Sequence, residues 1–209
     1  MRFSSTPEIS VIMPTFNRAR HLETAVQSVI TQTVSNWELI IVDDGSSDNT
    51  FSILDPYICR FHNIRYLKHS NRKAALSRNA GIQASFGRYI TFLDSDDHYL
   101  ENHLETRMDI ITELPELDLI TGGFICDESI MVKDRNDLHK LINIRECTLG
   151  GTFFGKKELF TALKGFSELD YAEDADLWQR AAACFTVKKI EDPKTYVYRR
   201  AEDSTTLNY

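Results

Sequence analysis

Hydrophobic and polar positions along the first half of the chain switch between a strand-like and a helix-like period. Ile9-Ser10-Val11-Ile12-Met13 is a β-branched run halted by Pro14, which predicts a strand opening into a loop. From Arg18 onward, Leu22, Ala25, Val26, Val29 and Ile30 recur at the spacing of one helix face. Trp37 to Val42 is almost continuously apolar, the pattern of a strand covered on both faces in a parallel sheet. Ser47 or Asp48 is placed to cap a helix carrying Phe51, Ile53, Leu54, Tyr57 and Ile58, and Pro56 within it predicts a break or kink. Ile64–Leu67 predicts a third strand, Lys73–Ala84 a helix, and Tyr89–Leu93 a fourth strand. Alternating strand and helix over this length predicts an α/β fold with an open, mostly parallel sheet and right-handed crossovers.

The second half is less regular. A helix is expected over 101–113, then a strand over Leu117–Thr121 ending at Gly122-Gly123. Lys156–Lys164 reads as a helix with Gly165 as its stop. Asp174–Cys184 reads as a better helix with Leu177, Trp178, Ala181 and Ala182 on one side, and residues 187–190 and 195–198 as short strands. The polar stretch 127–146 has no period that places it.

Composition changes the picture in three respects. The 209 residues suit one domain, and 42% hydrophobic with 11% aromatic residues supplies a substantial core. A formal charge of −7 argues against a protein that coats nucleic acid, but not against a small phosphorylated substrate, because one cation inverts the local sign. Cys59, Cys126, Cys147 and Cys184 form no metal-type pairs and are expected to be reduced and mostly buried, as in a reducing compartment. The N-terminus lacks the apolar stretch of a signal peptide and no apolar run is long enough to span a bilayer. The expected location is cytoplasmic, with membrane contact, if any, peripheral at the inner face.

Ligands of an open α/β sheet bind beyond the carboxyl ends of its strands. Strand one ends in Pro14-Thr15-Phe16-Asn17-Arg18, strand two in Asp43-Asp44-Gly45-Ser46, and strand four in Asp94-Ser95-Asp96-Asp97. Clustered carboxylates repel one another, and a hard divalent cation, Mg or Mn, is their natural neutraliser. Each cluster also has a plainer reading: Asp94–Asp97 as a helix-capping turn, Asp43-Asp44 as an Asx turn, Glu173-Asp174 as acids favoured at a helix N-terminus. The sharper reading of Glu173-Asp174 is a general base.

Five segments together resemble the family-2 glycosyltransferases of GT-A fold. They are Val11–Arg18, Ile41–Thr50, Ala75–Gly81, Phe92–Asp97 and Glu173–Arg180, and the resemblance runs from about Ile9 to Ser204. It implies a Rossmann-like nucleotide-binding half over about 9–97 and an acceptor-side half over about 98–209, within a single domain 1–209. It implies a nucleoside-diphosphate sugar donor, with UDP-sugars favoured, and a saccharide or lipid-linked saccharide acceptor. Pro14, Thr15 and Phe16 match the base pocket, with Asn17 and Asp43 beside it, and Asp44 matches the acid that contacts the base. Arg78 matches a basic position near the nucleotide. Asp94-Ser95-Asp96 matches the Asp-x-Asp motif, with Asp94 toward the ribose, Asp96 on the metal and Asp97 a second metal candidate. Asp174 matches the base of an inverting transfer. Ala201 stands where many members carry a histidine, so either a diphosphate or metal contact is missing there or Arg199 and Arg200 supply charge instead. The chain also ends at Tyr209, where many members continue, so it is expected to be either a small member or a shortened one. A catalytically silent nucleotide-sugar-binding module and a sugar-nucleotide nucleotidyltransferase are the alternatives. The second ordinarily carries a Gly-rich loop after its first strand, which Pro14–Asn17 is not.

Overall fold

The computed structural model describes residues 6–200. Its elements are β1 (Ile9–Thr15), α1 (Ala19–Ile30), β2 (Trp37–Asp43), α2 (Thr50–Arg60), β3 (Ile64–Lys68), α3 (Lys73–Ala84) and β4 (Tyr89–Phe92). There follow β5 (His98–Tyr99), α4 (His103–Glu113), β6 (Leu119–Gly122), β7 (Phe124–Ile125), β8 (Met131–Asp134) and β9 (Asp137–Asn143). β10 (Phe154–Lys156), α5 (Lys157–Ala162), α6 (Glu173–Cys184), β11 (Val187–Ile190) and β12 (Tyr196–Val197) complete the order.

One seven-stranded sheet runs β11-β6-β10-β4-β1-β2-β3. All its strands are parallel except β10, which lies antiparallel between β4 and β6. Strand alternation divides the core between the two faces. Ile9, Val11 and Met13 pack with Leu22, Val26 and Val29 of α1, Leu54 of α2 and Leu104 of α4. Ile12 packs on the other face with Ala75 and Ile82 of α3, Phe160 of α5 and Leu177 of α6. Glu38 is buried on β2 because Ser10, Arg65 and the Phe86 amide all donate to its carboxylate.

The main chain order follows the sequence reading, with several corrections. α2 continues unbroken through Pro56. Pro56 and Ser52, whose carbonyl loses its partner, are both exposed, so water can satisfy the carbonyl. Neither Ser47 nor Asp48 is the N-cap of that helix: Asn49 holds that position with no side-chain cap, while Asp48 before it accepts from the Thr50 amide at 3.0 Å and, through its other oxygen, from the Ala19 amide at the start of α1. The four cysteines are free but not mostly buried: Cys59 and Cys184 are exposed near the ends of surface helices, and Cys126 and Cys147 are half-buried. On α6, Leu177 and Ala181 enter the core while Ala182 faces solvent. α5 ends earlier than expected, at Ala162 with Leu163 as its cap, and Lys164 (φ 59) and Gly165 (φ 71) turn the chain away, the Gly165 amide bonded to Phe160 O. β10 was not foreseen, and the unplaced stretch 127–146 contains the β8–β9 hairpin.

A small sheet, β5-β12-β7, holds the last described residues against the tip of β4. Among the described residues, no helix is long and apolar enough to cross a membrane.

Candidate active site

The parallel strands β1, β2 and β4 deliver their polar ends to one edge of the sheet, where a cleft of about 1010 Å³ opens. At the end of β1, Asn17 adopts a left-handed conformation, φ 53, and ties β1 to the β2 loop. Its side chain accepts from the Ser47 amide at 2.9 Å and its own amide donates to Ser46 Oγ at 2.9 Å. Phe16, next to it, is 43% exposed and lines the cleft with Pro14, Thr15 and Arg18.

Adjacent aspartates at the end of β2 have different surroundings. The Asp43 side chain is fully buried and does not line the cleft. It accepts from the Ser46 amide at 2.7 Å and from the Tyr66 hydroxyl, with Lys68 Nζ 3.6 Å away. Burial alone would raise its pKa, but those hydrogen bonds outweigh it and hold the carboxyl below its ordinary value. Asp43 therefore holds the turn after β2 and is not among the residues that line the cleft. Asp44 does line the cleft. Its oxygens accept from the Arg72 and Lys73 amides at 2.7 and 2.8 Å, which fixes the start of α3.

At the tip of β4, Asp94, Ser95, Asp96 and Asp97 all line the cleft, but their carboxylates have separate partners. Asp94 accepts from Arg78 Nη2 at 2.7 Å. Asp97, only 2% exposed, accepts from the Tyr196 hydroxyl at 2.5 Å and from the Arg199 amide at 2.7 Å. Burial first, then the charges of Asp94 and Asp96, push the Asp97 carboxyl well above the ordinary range. Asp96 lies 3.9 Å from Arg18 Nη1. Among the described residues, no three His, Cys, Asp or Glu side chains converge as an all-protein metal site. The donor set fits a hard cation held by Asp96 and completed by substrate phosphate oxygens, the usual way Mg or Mn is bound. Asp97, with both oxygens engaged by protein donors, fits a latch for the C-terminal strand better than a metal ligand.

Arg78 connects this tip to the distant helix α6. It is 6% exposed, stands over the Phe166 ring at 5.4 Å, and donates through Nη1 to Glu173 at 2.8 Å as well as to Asp94. Asp174, the next residue on α6, lines the same cleft as Asp96. Its carboxylate accepts from the Gly150 amide at 3.1 Å and from the Ala175 amide at 2.7 Å. Gly150 allows this approach, since an added Cβ would sit 3.3 Å from the Asp174 Cβ. Burial, followed by the Glu173 charge, pushes the Asp174 carboxyl up to about 7, against the opposing pull of Arg78 and the two amides. α6 begins after Ala172, a left-handed residue at φ 60.

The structure thus gathers Pro14, Thr15, Phe16, Asn17, Asp44, Arg78, Asp94, Ser95, Asp96, Asp97 and Asp174 around one cleft. Sequence reasoning missed Glu173 as the partner of Arg78, Gly150 as a donor to Asp174, and Tyr196 as the partner of Asp97. The Gly150-Gly151 pair was the available signal for a turn there. Arg200, expected as a source of charge, donates to Met131 O at 3.0 Å on the hairpin, and Ala201 lies outside the described residues.

The family described as Glycosyl transferase family 2 matches residues 10–165. Glycosyltransferase GlyG of Streptococcus pneumoniae is 38% identical over 117 residues, covering 56% of this chain and 38% of that protein. TuaG of Bacillus subtilis, provisionally named as a teichuronic acid biosynthesis glycosyltransferase, is 37% identical over 142 residues, covering 67% of this chain and 54% of that protein. The chain thus spans about a third to a half of the length of these relatives. Among solved structures, Staphylococcus aureus TarS residues 1–349 with UDP-GlcNAc superposes at TM-score 0.79 with 21% identity, over 97% of this chain and 61% of that one. The mannosyltransferase PcManGT of Pyrobaculum calidifontis, with GDP-Man and Mn2+, superposes at 0.75 with 18% identity, over 97% and 59%. At these identities the likeness establishes the fold.

Proposed function

Because the chain belongs to glycosyltransferase family 2, we propose that it moves a sugar from a nucleoside-diphosphate donor to a hydroxyl of a saccharide or lipid-linked saccharide, with inversion at the anomeric carbon. The observation that carries this reading is the position of Asp174. An aspartate with its carboxyl near neutrality shares one cleft with the acidic tip of β4, and Arg78 ties Asp94 of that tip to Glu173, the residue before Asp174. A general base works best with its pKa near the operating pH. The UDP-GlcNAc and GDP-Man held by the two structural neighbours support a nucleotide-sugar donor, and UDP-sugars are the favoured class.

In this mechanism the Gly150 and Ala175 amides orient the Asp174 carboxylate toward the acceptor. The acceptor oxygen attacks the anomeric carbon as its proton passes to Asp174. The bond from that carbon to the diphosphate oxygen breaks, and its electron pair departs with the nucleoside diphosphate. One displacement needs no covalent enzyme intermediate. Asp96, with donor phosphate oxygens, would hold a Mn or Mg ion. When bound, such an ion offsets the negative charge that grows on the leaving group. Asp44, Thr15 and Phe16 would face the base, and Asp94 the ribose.

The test is release of nucleoside diphosphate from a panel of UDP-, GDP- and dTDP-sugars, with and without Mn2+. Metal-dependent release from at least one donor is expected. Asp96→Ala is expected to weaken donor binding in Mn2+ by roughly tenfold or more, read by calorimetry. Release indifferent to chelator and to this substitution would remove the metal assignment. Pyrophosphate release from a sugar phosphate and a nucleoside triphosphate would point to a nucleotidyltransferase instead.

A further inference from the structure

Trp178 lines the cleft, yet neither the donor nor the base accounts for it. It follows Asp174 by four residues on α6, so the two side chains share one helix face, with Cβ atoms about 5–6 Å apart. Leu177 and Ala181 on the same helix are fully buried, whereas Trp178 is half-buried. The indole runs nearly parallel to the buried ring of Phe153, inclined by 11° with centroids 6.5 Å apart, and packs against the core cluster that contains it. An indole backed by the core and half accessible offers a flat apolar surface to the cleft.

The β8–β9 hairpin is tied to α6 and to the segment before it. Arg135 Nη2 donates to Gln179 Oε1 at 2.6 Å, beside Trp178 on α6, and the Tyr171 hydroxyl donates to Lys133 O at 2.5 Å. Val132 and Ile142, a cross-strand pair of the hairpin, line the cleft. The cleft that Trp178 and Asp174 line thus also has the hairpin along its wall.

We propose that this is the acceptor subsite and that it binds a pyranose ring stacked on Trp178, which makes the acceptor terminus a sugar ring rather than an open-chain polyol. The inference rests on the glycosyltransferase reading above. A pyranose has one face of C–H groups and a rim of hydroxyls, which suits a flat aromatic surface with a polar group at its edge. The four-residue spacing then sets a rim hydroxyl beside the base.

The experiment uses the whole chain with UDP and Mn2+ and follows tryptophan fluorescence. The probes are methyl β-D-glucopyranoside, methyl β-D-galactopyranoside and methyl 2-acetamido-2-deoxy-β-D-glucopyranoside, with glycerol as the open-chain control. The chain has two tryptophans, and Trp37 is buried in the core. A saturable change is expected with at least one glycoside and not with glycerol, and it is expected to vanish in Trp178→Phe. In turnover, Trp178→Ala is expected to raise the KM of that glycoside roughly tenfold and Trp178→Phe to recover most of it, while the donor KM does not rise in step. A purely structural role would move both constants together and would overturn the subsite. So would equal responses to glycerol and the glycosides, or no response to any glycoside. If the wild type releases no nucleoside diphosphate from any donor, the glycosyltransferase reading fails and takes this inference with it. Donor turnover without a Trp178 response defeats the subsite alone.

Discussion

Asp174 carries a cost when it ionises, because burial and the Glu173 charge outweigh Arg78 and two amide donors. Its carboxyl titrates near 3.8 in an unfolded chain and is pushed up to about 7 in the fold. Below the lower value both states hold the proton and nothing is lost. Between the two values the unfolded chain ionises first, so stability falls as pH rises, and above the upper value the loss is complete. Asp174→Asn removes this term. The variant is expected to gain in Tm relative to wild type as pH rises from 5 to 8, and to lose turnover by roughly 10²–10⁴-fold. Wild-type kcat is expected to fall as pH drops through about 7. A Tm difference that stays constant with pH would show that the carboxyl titrates normally. The same scale shows where sequence reading stops. Asp43 and Asp44 are neighbours with similar turn signals, and only their partners, Tyr66 and Lys68 against the amides of α3, separate a structural acid from one facing the cleft. Those partners lie more than twenty positions away, beyond the reach of a local pattern.

Elements were legible where one face is buried and the period is long enough to see. α1 satisfies both conditions, whereas β1, β2 and β4 are buried on both faces and show instead as short apolar runs. β10 is only three residues long and antiparallel, and β9 is exposed along most of its length, so neither imposes a period on the sequence. The hairpin that lines the cleft with Asp174 was illegible for that reason. Gly81, inside α3, shows the converse, a residue that helix propensity alone misjudges. Alanine there would gain about 1 kcal/mol of intrinsic helix propensity. Its Cβ, however, would lie 2.3 Å from Cγ2 of Ile12, which is fully buried on β1. Relieving such a clash in a packed core costs about 1–3 kcal/mol, and separating α3 from the sheet would also shift Arg78 on the same helix. Gly81→Ala is therefore expected to be destabilising on balance, with a lower urea midpoint. A midpoint equal to or above that of the wild type would mean that α3 moves away from β1 more easily than its packing implies.

For the molecule as a whole, the proposed donor and acceptor halves share one core. β10, from the second half, pairs along Tyr89–Thr91 of β4, and Phe154 stacks on Tyr89 with centroids 5.6 Å apart. The larger core cluster joins Ile9, Val11 and Leu39 to Leu104, Ile120, Phe154 and Tyr196. Polar bridges cross the same boundary: Arg78 to Glu173, and Asp97 to Tyr196 and Arg199. A fragment of residues 1–97 would expose the edge of β4 and strip the buried Arg78 of one of its two carboxylate partners. The intact chain is expected to unfold in one cooperative transition, and the fragment to show none, by circular dichroism against urea. Two separated transitions in the intact chain, or a cooperative fragment, would mean that the halves are autonomous. The donor tip and the base could then move independently, and the Arg78 bridge would no longer be enough to keep Asp174 beside the donor. If the chain instead unfolds as one unit, the core that stabilises the sheet also holds the base in place, and losing either half removes the site.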